Sequence, residues 1–354
     1  MSVAVSVAPA HTGLPSVHVG RRRLVKLAIV LAVLTTEIAL VAPHLAGSGA
    51  ALDHLRWGWV AAAVACEIAS IATFSRLRRS LLRAGGLQVP QGRMGVLTLA
   101  ANAIAVSVPA GTAVSAGYLY RQLRRLGASA PLVTWMLAAG AVVSGAAFTV
   151  ITVAGTLLAG DTSIAAIAGT TGLSLLAILG LIALLSALTR HPRPLLHGLR
   201  SVCRRLPIRR GKSCPDNDEK ALDQVAAEIT AITPRLRDWS AAFWFSLLNW
   251  LADLACFVLC CYAVGVTQLG IGAAVLAYVA GLATTSISLL PAGLGSLEAG
   301  MLVGLTHGGV AAPLAVAGIV IYRLVAYALV AAVGWVAWAA LRRRFIGDTV
   351  RPPG

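Results

Sequence analysis

A hydrophobic run broken by proline and closely spaced glycines limits this chain more than any other feature. In Ser286-Ile-Ser-Leu-Leu-Pro-Ala-Gly-Leu-Gly-Ser-Leu-Glu298 the break is followed at once by a carboxylate, and Arg323 lies on the next apolar segment. A helix interrupted inside hydrocarbon frees backbone N–H and C=O groups that lipid cannot satisfy, so such a break must be buried in protein or line a polar cavity. Composition places the break in a membrane: 58% of the residues are hydrophobic and 12% charged, against roughly 25% charged in an ordinary soluble domain. The net charge of +16 then reads as arginine-rich loops facing anionic lipid rather than as a nucleic-acid surface, because the arginines cluster beside apolar segments.

The break has a twin. Pro109-Ala-Gly111 recurs 182 positions on as Pro291-Ala-Gly293, and Gly127 with Pro131 recurs at the same offset as Gly309 with Pro313. Gly117 matches Gly300 with one residue inserted. Flanking matches held in register point to a duplicated unit, the kind of weak internal symmetry that transporter folds carry.

Residues 1–20 read as a disordered tail. Arg21-Arg-Arg23 precedes a first span at 24–42, which is too long an apolar run for a signal peptide and reads as an uncleaved anchor. A second span covers 57–74, with Trp57 and Trp59 at the interface. Arg76, Arg78, Arg79, Arg83 and Arg93 are then expected on a cytoplasmic basic loop. Residues 94–120 are divided at Pro109 into pieces of roughly 15 and 9 residues, each too short for a 30 Å hydrocarbon core. Arg121, Arg124 and Arg125 follow, so both ends of this segment face the cytoplasm and it forms a re-entrant hairpin.

Spans at 131–159 and 163–189 lead out and back. The polar region 190–238 ends in 216–237, where Leu222, Val225, Ile229 and Ile232 fall at helical spacing; this is an amphipathic surface helix or a partner-docking one. A fifth span at 239–265, a second broken segment at 270–306 and a final span at 311–340 complete the chain before Arg342-Arg-Arg344. If those arginines are cytoplasmic, the second hairpin begins and ends outside, opposite to the first.

The expected fold is therefore all-α: a polytopic membrane protein of about six full transmembrane helices plus two re-entrant broken-helix hairpins in an inverted repeat. The first half is 21–189 and the second 239–344, joined by the cytoplasmic loop 190–238 and followed by a tail, 345–354. Both termini are expected in the cytoplasm, with the chain in the cell membrane.

Candidate site residues are the charges and breaks inside the spans. Glu298 and Arg323 should both fall near mid-membrane, where an isolated charge costs at least ~2.5 kcal/mol, so they are expected to pair. The pair either holds the second hairpin against the last helix or presents a guanidinium to a phosphate or carboxylate headgroup. Glu37, Glu67 and Asp253 lie within spans, and Glu67 maps at the 182 offset to Asn249; these residues could line a polar path, receive basic headgroups or pair quietly with neighbouring helices. Pro109, Gly111, Pro291, Gly293 and Gly295 shape the hairpin tips. Ser107, Ser286 and Ser288 precede the breaks, where hydroxyls often satisfy freed backbone groups. Tyr118, Tyr120 and Arg121 are expected to snorkel at the interface.

No cofactor is called for. Cys66, Cys256, Cys260 and Cys261 lie in apolar spans as small buried hydrophobes, and Cys203, Cys214 and His197 match no zinc spacing. Ser296 is not a nucleophile by this reading, since His307 belongs to the far end of the hairpin.

Leu290-Pro-Ala-Gly-Leu-Gly-Ser-Leu-Glu298 followed by Tyr322-Arg323 resembles the LPxGxGxxE motif and late arginine of the flippase-like membrane domain of the lysylphosphatidylglycerol synthase family. Val108-Pro-Ala-Gly111 through Tyr120-Arg121 is similar to that family's earlier motif. It departs from it at Ser115 and Ala116, where the family usually carries an acidic residue. In two-part members a soluble domain makes aminoacylated phosphatidylglycerol and the membrane domain moves it between leaflets. A chain ending at Gly354 leaves no room for the soluble part, so the resemblance implies transport of a phospholipid or lipid-linked headgroup, with no enzymatic activity. The alternative is a non-transporting membrane scaffold for an envelope-lipid-modifying enzyme on another chain. An ion channel lacks support, since no filter motif is present.

Overall fold

The computed structural model describes residues 55–108, 110–159, 232, 234–285 and 293–348. All of the regular structure among these residues is helical. The expected spans at 24–42 and 163–189, the N-terminal tail, residues 349–354 of the C-terminal tail and nearly all of the 190–238 loop lie outside the described residues, as do Pro109, Pro291, Ser286 and Ser288; residues 345–348, expected in the tail, are helical.

Four described helices are long and apolar enough to cross a membrane. They are α1 (Trp57–Ala84), α4 (Ala130–Leu158), α5 (Leu236–Ala263) and a continuous rod over Ala312–Leu341. The rod consists of α8 (Ala312–Tyr322), a π-helical stretch (Arg323–Leu329) and α9 (Val330–Asp348). Between the long helices lie two pairs of short ones: α2 (Gln91–Ser107) with α3 (Gly111–Arg125), and α6 (Ile271–Thr285) with α7 (Ser296–His307). The order long, short, short, long thus occurs twice. Large apolar side chains such as Ile68, Leu248, Leu251 and Val336 stay exposed on the long helices, as suits surfaces that meet lipid rather than water.

Local chemistry explains the boundaries. Ser129 caps α4 by accepting the Leu132 N–H at 3.3 Å, with Pro131 in the first turn. Asp238 caps α5 by accepting the Arg235 N–H at 3.0 Å. Gly127 and Gly309, the 182-offset pair, both take positive φ, 88° and 82°, a conformation open to glycine at little steric cost. The following helices begin at Ala130 and Ala312.

The second span does not stop at residue 74. Helix α1 continues to Ala84, so Arg76, Arg78, Arg79 and Arg83 are helical rather than on a basic loop. No breaker occurs before Gly85 and Gly86, and Leu77, Leu81 and Leu82 bury themselves at helical spacing. Arg79 Nε donates to the Val89 carbonyl at 2.8 Å, and the Arg78 guanidinium lies 4.0 Å from the Phe74 ring centroid. Likewise α3 runs on through Arg121, Arg124 and Arg125, giving helical pieces of 17 and 15 residues around the first break. Tyr118 does not snorkel: it is 6% exposed within the core formed by α1, α2, α3 and α4.

Helices α1 and α5 share the most extensive interface in the molecule, and each short pair packs on itself. In the second pair, Gly281 meets Met301 and Leu297, Gly300 meets Ala280, Gly304 meets Ala277 and Gly308 meets Ala273. These contacts run in opposite directions along the chain, so α6 and α7 form an antiparallel hairpin. Glycines every four residues on α7 let the backbones approach closely, the small-residue packing used between helices in lipid. The first pair docks against α9, where Trp335 Nε1 donates to Ser107 Oγ at 3.1 Å.

Candidate functional site

Glu67, Ser70, Ile71 and Phe74 recur at three- and four-residue spacing and therefore share one face of α1. Asn249, Trp250 and Asp253 occupy the facing side of α5. Together with Asn102 of α2, Ser144 of α4, Leu282 of α6, Tyr322 of α8, and Ala326 and Tyr327 of the π-helical stretch, they enclose a cavity of about 240 Å³. Polar side chains from α1, α2, α4 and α5 thus converge within helices otherwise built from apolar residues.

The cavity wall is tied by a short list of hydrogen bonds. Ser70 Oγ–H donates to Asn249 Oδ1 at 3.2 Å. The Trp250 indole N–H donates to both the carbonyl and the hydroxyl oxygen of Ser144 at 3.1 Å. Asp253 accepts from two phenols, Tyr278 O–H at 2.6 Å and Tyr322 O–H at 3.0 Å. Glu67 is 8% exposed, and its Oε2 has no hydrogen-bond partner. Buried polar atoms in native folds are nearly always satisfied, so this carboxylate oxygen stands out on the cavity wall.

Glu298 and Arg323 pair as the sequence implies, with Arg323 Nε donating to Glu298 Oε1 at 2.5 Å. Arg323 is 5% exposed, and its guanidinium lies 4.4 Å from the Tyr327 ring centroid. The pair stands behind Tyr327 rather than on the cavity wall. Its position follows from local structure: Glu298 is in the first turn of α7, just past the second break, and Arg323 opens the π-helical stretch. Single π turns inside α-helices are frequent at functional sites, and here the widened turn carries both Arg323 and Tyr327.

The breaks are held by their own chemistry. Gly293 and Gly295 take φ of 63° and 80°. Thr284 Oγ1–H is placed to donate to the carbonyls of Gly281 and Ser296, at 2.6 and 2.7 Å, and Ser296 Oγ–H donates to the Gly293 carbonyl at 3.0 Å. At the first break Ala110 adopts the left-handed conformation with φ 53°. A Cβ on Gly111 would sit 1.9 Å from the Ala105 carbonyl oxygen. Ser107 accepts from Trp335; its described bond ties the hairpin to α9 and does not satisfy a freed backbone group.

Of the residues singled out in the sequence, the structure brings Glu67, Asn249 and Asp253 to one cavity, and Glu298 and Arg323 to an adjoining pair. Gly111, Gly293 and Gly295 shape turns. The sequence reading missed Ser70, Asn102, Ser144, Tyr278 and Tyr327 as members of the wall and its support. The signal for Asn102 and Ser144 was a lone polar residue within an apolar run; the tyrosines carried none, because tyrosine inside a span reads as packing. Cys256, Cys260 and Cys261 are buried. Among the described residues no three His, Cys, Asp or Glu side chains gather closely enough to hold a metal ion.

Comparison with curated proteins finds no match. The chain does match the family described as the Lysylphosphatidylglycerol synthase TM region, over residues 23–334, a stretch that contains every residue of the cavity and both members of the ion pair. That stretch covers most of the 354 residues, and the protein therefore belongs to the Lysylphosphatidylglycerol synthase TM region family, a membrane domain associated with lipid handling.

Proposed function

We propose that the protein is a flippase-like translocator of the cell membrane that moves a phospholipid or lipid-linked headgroup between leaflets. The observation that carries this reading is the polar cavity of about 240 Å³ set among membrane-crossing helices, with Glu67, Asn249 and Asp253 on its wall. The headgroup occupies this cavity while its acyl chains stay in lipid. Arg323 supplies a permanently charged planar guanidinium suited to a phosphate, and Glu298 orients it. Tyr327 stands between the guanidinium and the cavity, so a phosphate reaching Arg323 turns that ring aside.

Alternating access comes from rocking one half of the molecule, α1 to α4, against the other, α5 to α9, across the α1–α5 interface that the cavity adjoins. The two hairpins enter from opposite faces as an inverted repeat, and both termini lie in the cytoplasm.

The test is transbilayer movement of a fluorescent phospholipid in proteoliposomes, read by quenching of the outer leaflet. Wild-type protein is expected to expose the inner-leaflet probe faster than empty vesicles, and Arg323→Ala to abolish that gain while still inserting and eluting as a single species. No movement by wild-type protein, together with stoichiometric co-purification of a lipid-modifying enzyme, would instead establish a scaffold.

A further inference from the structure

Charge does not balance on the cavity wall. Arg323 is engaged by Glu298, and among the described residues no lysine, arginine or histidine lines the cavity. Two carboxyl groups, Glu67 and Asp253, face the same space, and Asp253 acts electrostatically on Glu67. In a low-dielectric site two neighbouring carboxylates do not both keep a full negative charge; they share a proton between them.

The hydrogen bonds set the two carboxyl groups apart. Asp253 accepts one O–H from Tyr278 and one from Tyr322, at 2.6 and 3.0 Å. Hydrogen bonds donated to a carboxylate favour its charged form. Glu67 has no such support: it is 8% exposed, and Oε2 is without a partner. Other titratable or charged groups among the described residues surround this pair. Cys66 is on α1 itself, Cys256 and Cys260 are on α5, Tyr278 is on α6, Tyr322 on α8, and Tyr327 and Arg323 lie on the π-helical stretch, with Glu298 behind them on α7. Helices α2 and α4 contribute only Asn102 and Ser144, which do not titrate.

We propose that Glu67 is the proton-carrying site of this protein, and that transport through the cavity is coupled to a proton gradient. This rests on the translocator reading above. A proton from water on one side forms an O–H bond at Oε2 of Glu67 and cancels its charge. When the cavity opens to the other side that bond breaks, and the proton passes to water there. Asp253, with each oxygen held by a tyrosine hydroxyl, stays in place on the wall while Glu67 exchanges the proton. A sodium ion fits less well, because it needs a shell of several oxygens. Here both oxygens of Asp253 are engaged by phenols and the Asn249 Oδ1 by Ser70.

The experiment uses the full chain in sodium-free proteoliposomes carrying a fluorescent phosphatidylglycerol probe, with a pH difference imposed in each direction. One proton per cycle is expected to shift probe distribution up to about tenfold per pH unit. A protonophore should remove the shift, and a sodium gradient should produce none. In Glu67→Gln the ratio of transport with and without the gradient should fall to about one, whatever the absolute rate. Infrared difference spectroscopy of the solubilised protein gives a second readout independent of lipid movement: a protonated-carboxyl band in the wild type that Glu67→Gln lacks. Wild-type transport indifferent to pH, dependence on sodium instead, or Glu67→Gln keeping the full gradient response overturns the proposal. If no lipid moves at all, the translocator reading fails, and the infrared band alone decides whether Glu67 holds the proton.

Discussion

The two hairpins descend from similar sequence breaks and are fastened differently. The second, α6 with α7, is closed by backbone contact along its length, with glycines of α7 against Ala277, Ala280 and Gly281, and its turn carries the carboxylate that engages Arg323. The first is α2 with α3. It is anchored by Ser107 to Trp335, and Gly117, the counterpart of Gly300, faces open space. Similar breaks therefore yield one hairpin that places a carboxylate beside the cavity and one whose break is followed by uncharged residues as far as Tyr120.

The largest effect that tests this contrast lies in the ion pair. Arg323→Met strands Glu298 beside Tyr327 and should cost about 3 kcal/mol of stability, the lower end for a broken buried pair, because Glu298 is 29% exposed. Adding Glu298→Gln should recover much of that loss, a coupling that a double-mutant cycle in denaturant titrations would read. Strict additivity would mean that the second hairpin does not depend on its charge.

A smaller effect separates the two matched glycines. A Cβ at Gly300 would lie 2.6 Å from the Ala280 carbonyl oxygen, so Gly300→Ala should destabilise by about 1–3 kcal/mol through overpacking. Gly117→Ala meets nothing within 4 Å and should stabilise by up to about 1 kcal/mol, the gain in helix propensity. Equal responses in thermal unfolding would erase the difference in packing.

The smallest concerns the tips. Ala110 pays a left-handed penalty of about 1–2 kcal/mol that Gly293 and Gly295 avoid. Ala110→Gly should raise stability by only about half a kcal/mol, since glycine also gains freedom in the unfolded chain. A loss on that substitution would mean that the Ala110 methyl holds the first tip.

Much of the architecture is legible in the sequence. Breaks at 109–111 and 291–295 stood out because proline and glycine interrupt runs that otherwise have no reason to stop. The pairing of Glu298 with Arg323 followed from the cost of leaving either charge alone in hydrocarbon. The charge of the basic stretch after residue 74 signals a loop, but Leu77, Leu81 and Leu82 override it by burying a helical stripe beneath the arginines. Tyr118 was read as snorkelling for a similar reason, and packing within the first hairpin's core decided otherwise.

Among the described residues the sequence by itself determined which apolar segments are helical, where two of them break and that Glu298 and Arg323 need each other, because each of these follows from the cost of polar groups in lipid. It could not determine which faces meet. In a helix that is apolar all round, no periodicity marks the inward side, so only packing between α1 and α5 turned Glu67, Asn249 and Asp253 toward one cavity. Only the tertiary structure set Asp253 beneath two tyrosine hydroxyls while leaving an oxygen of Glu67 without one.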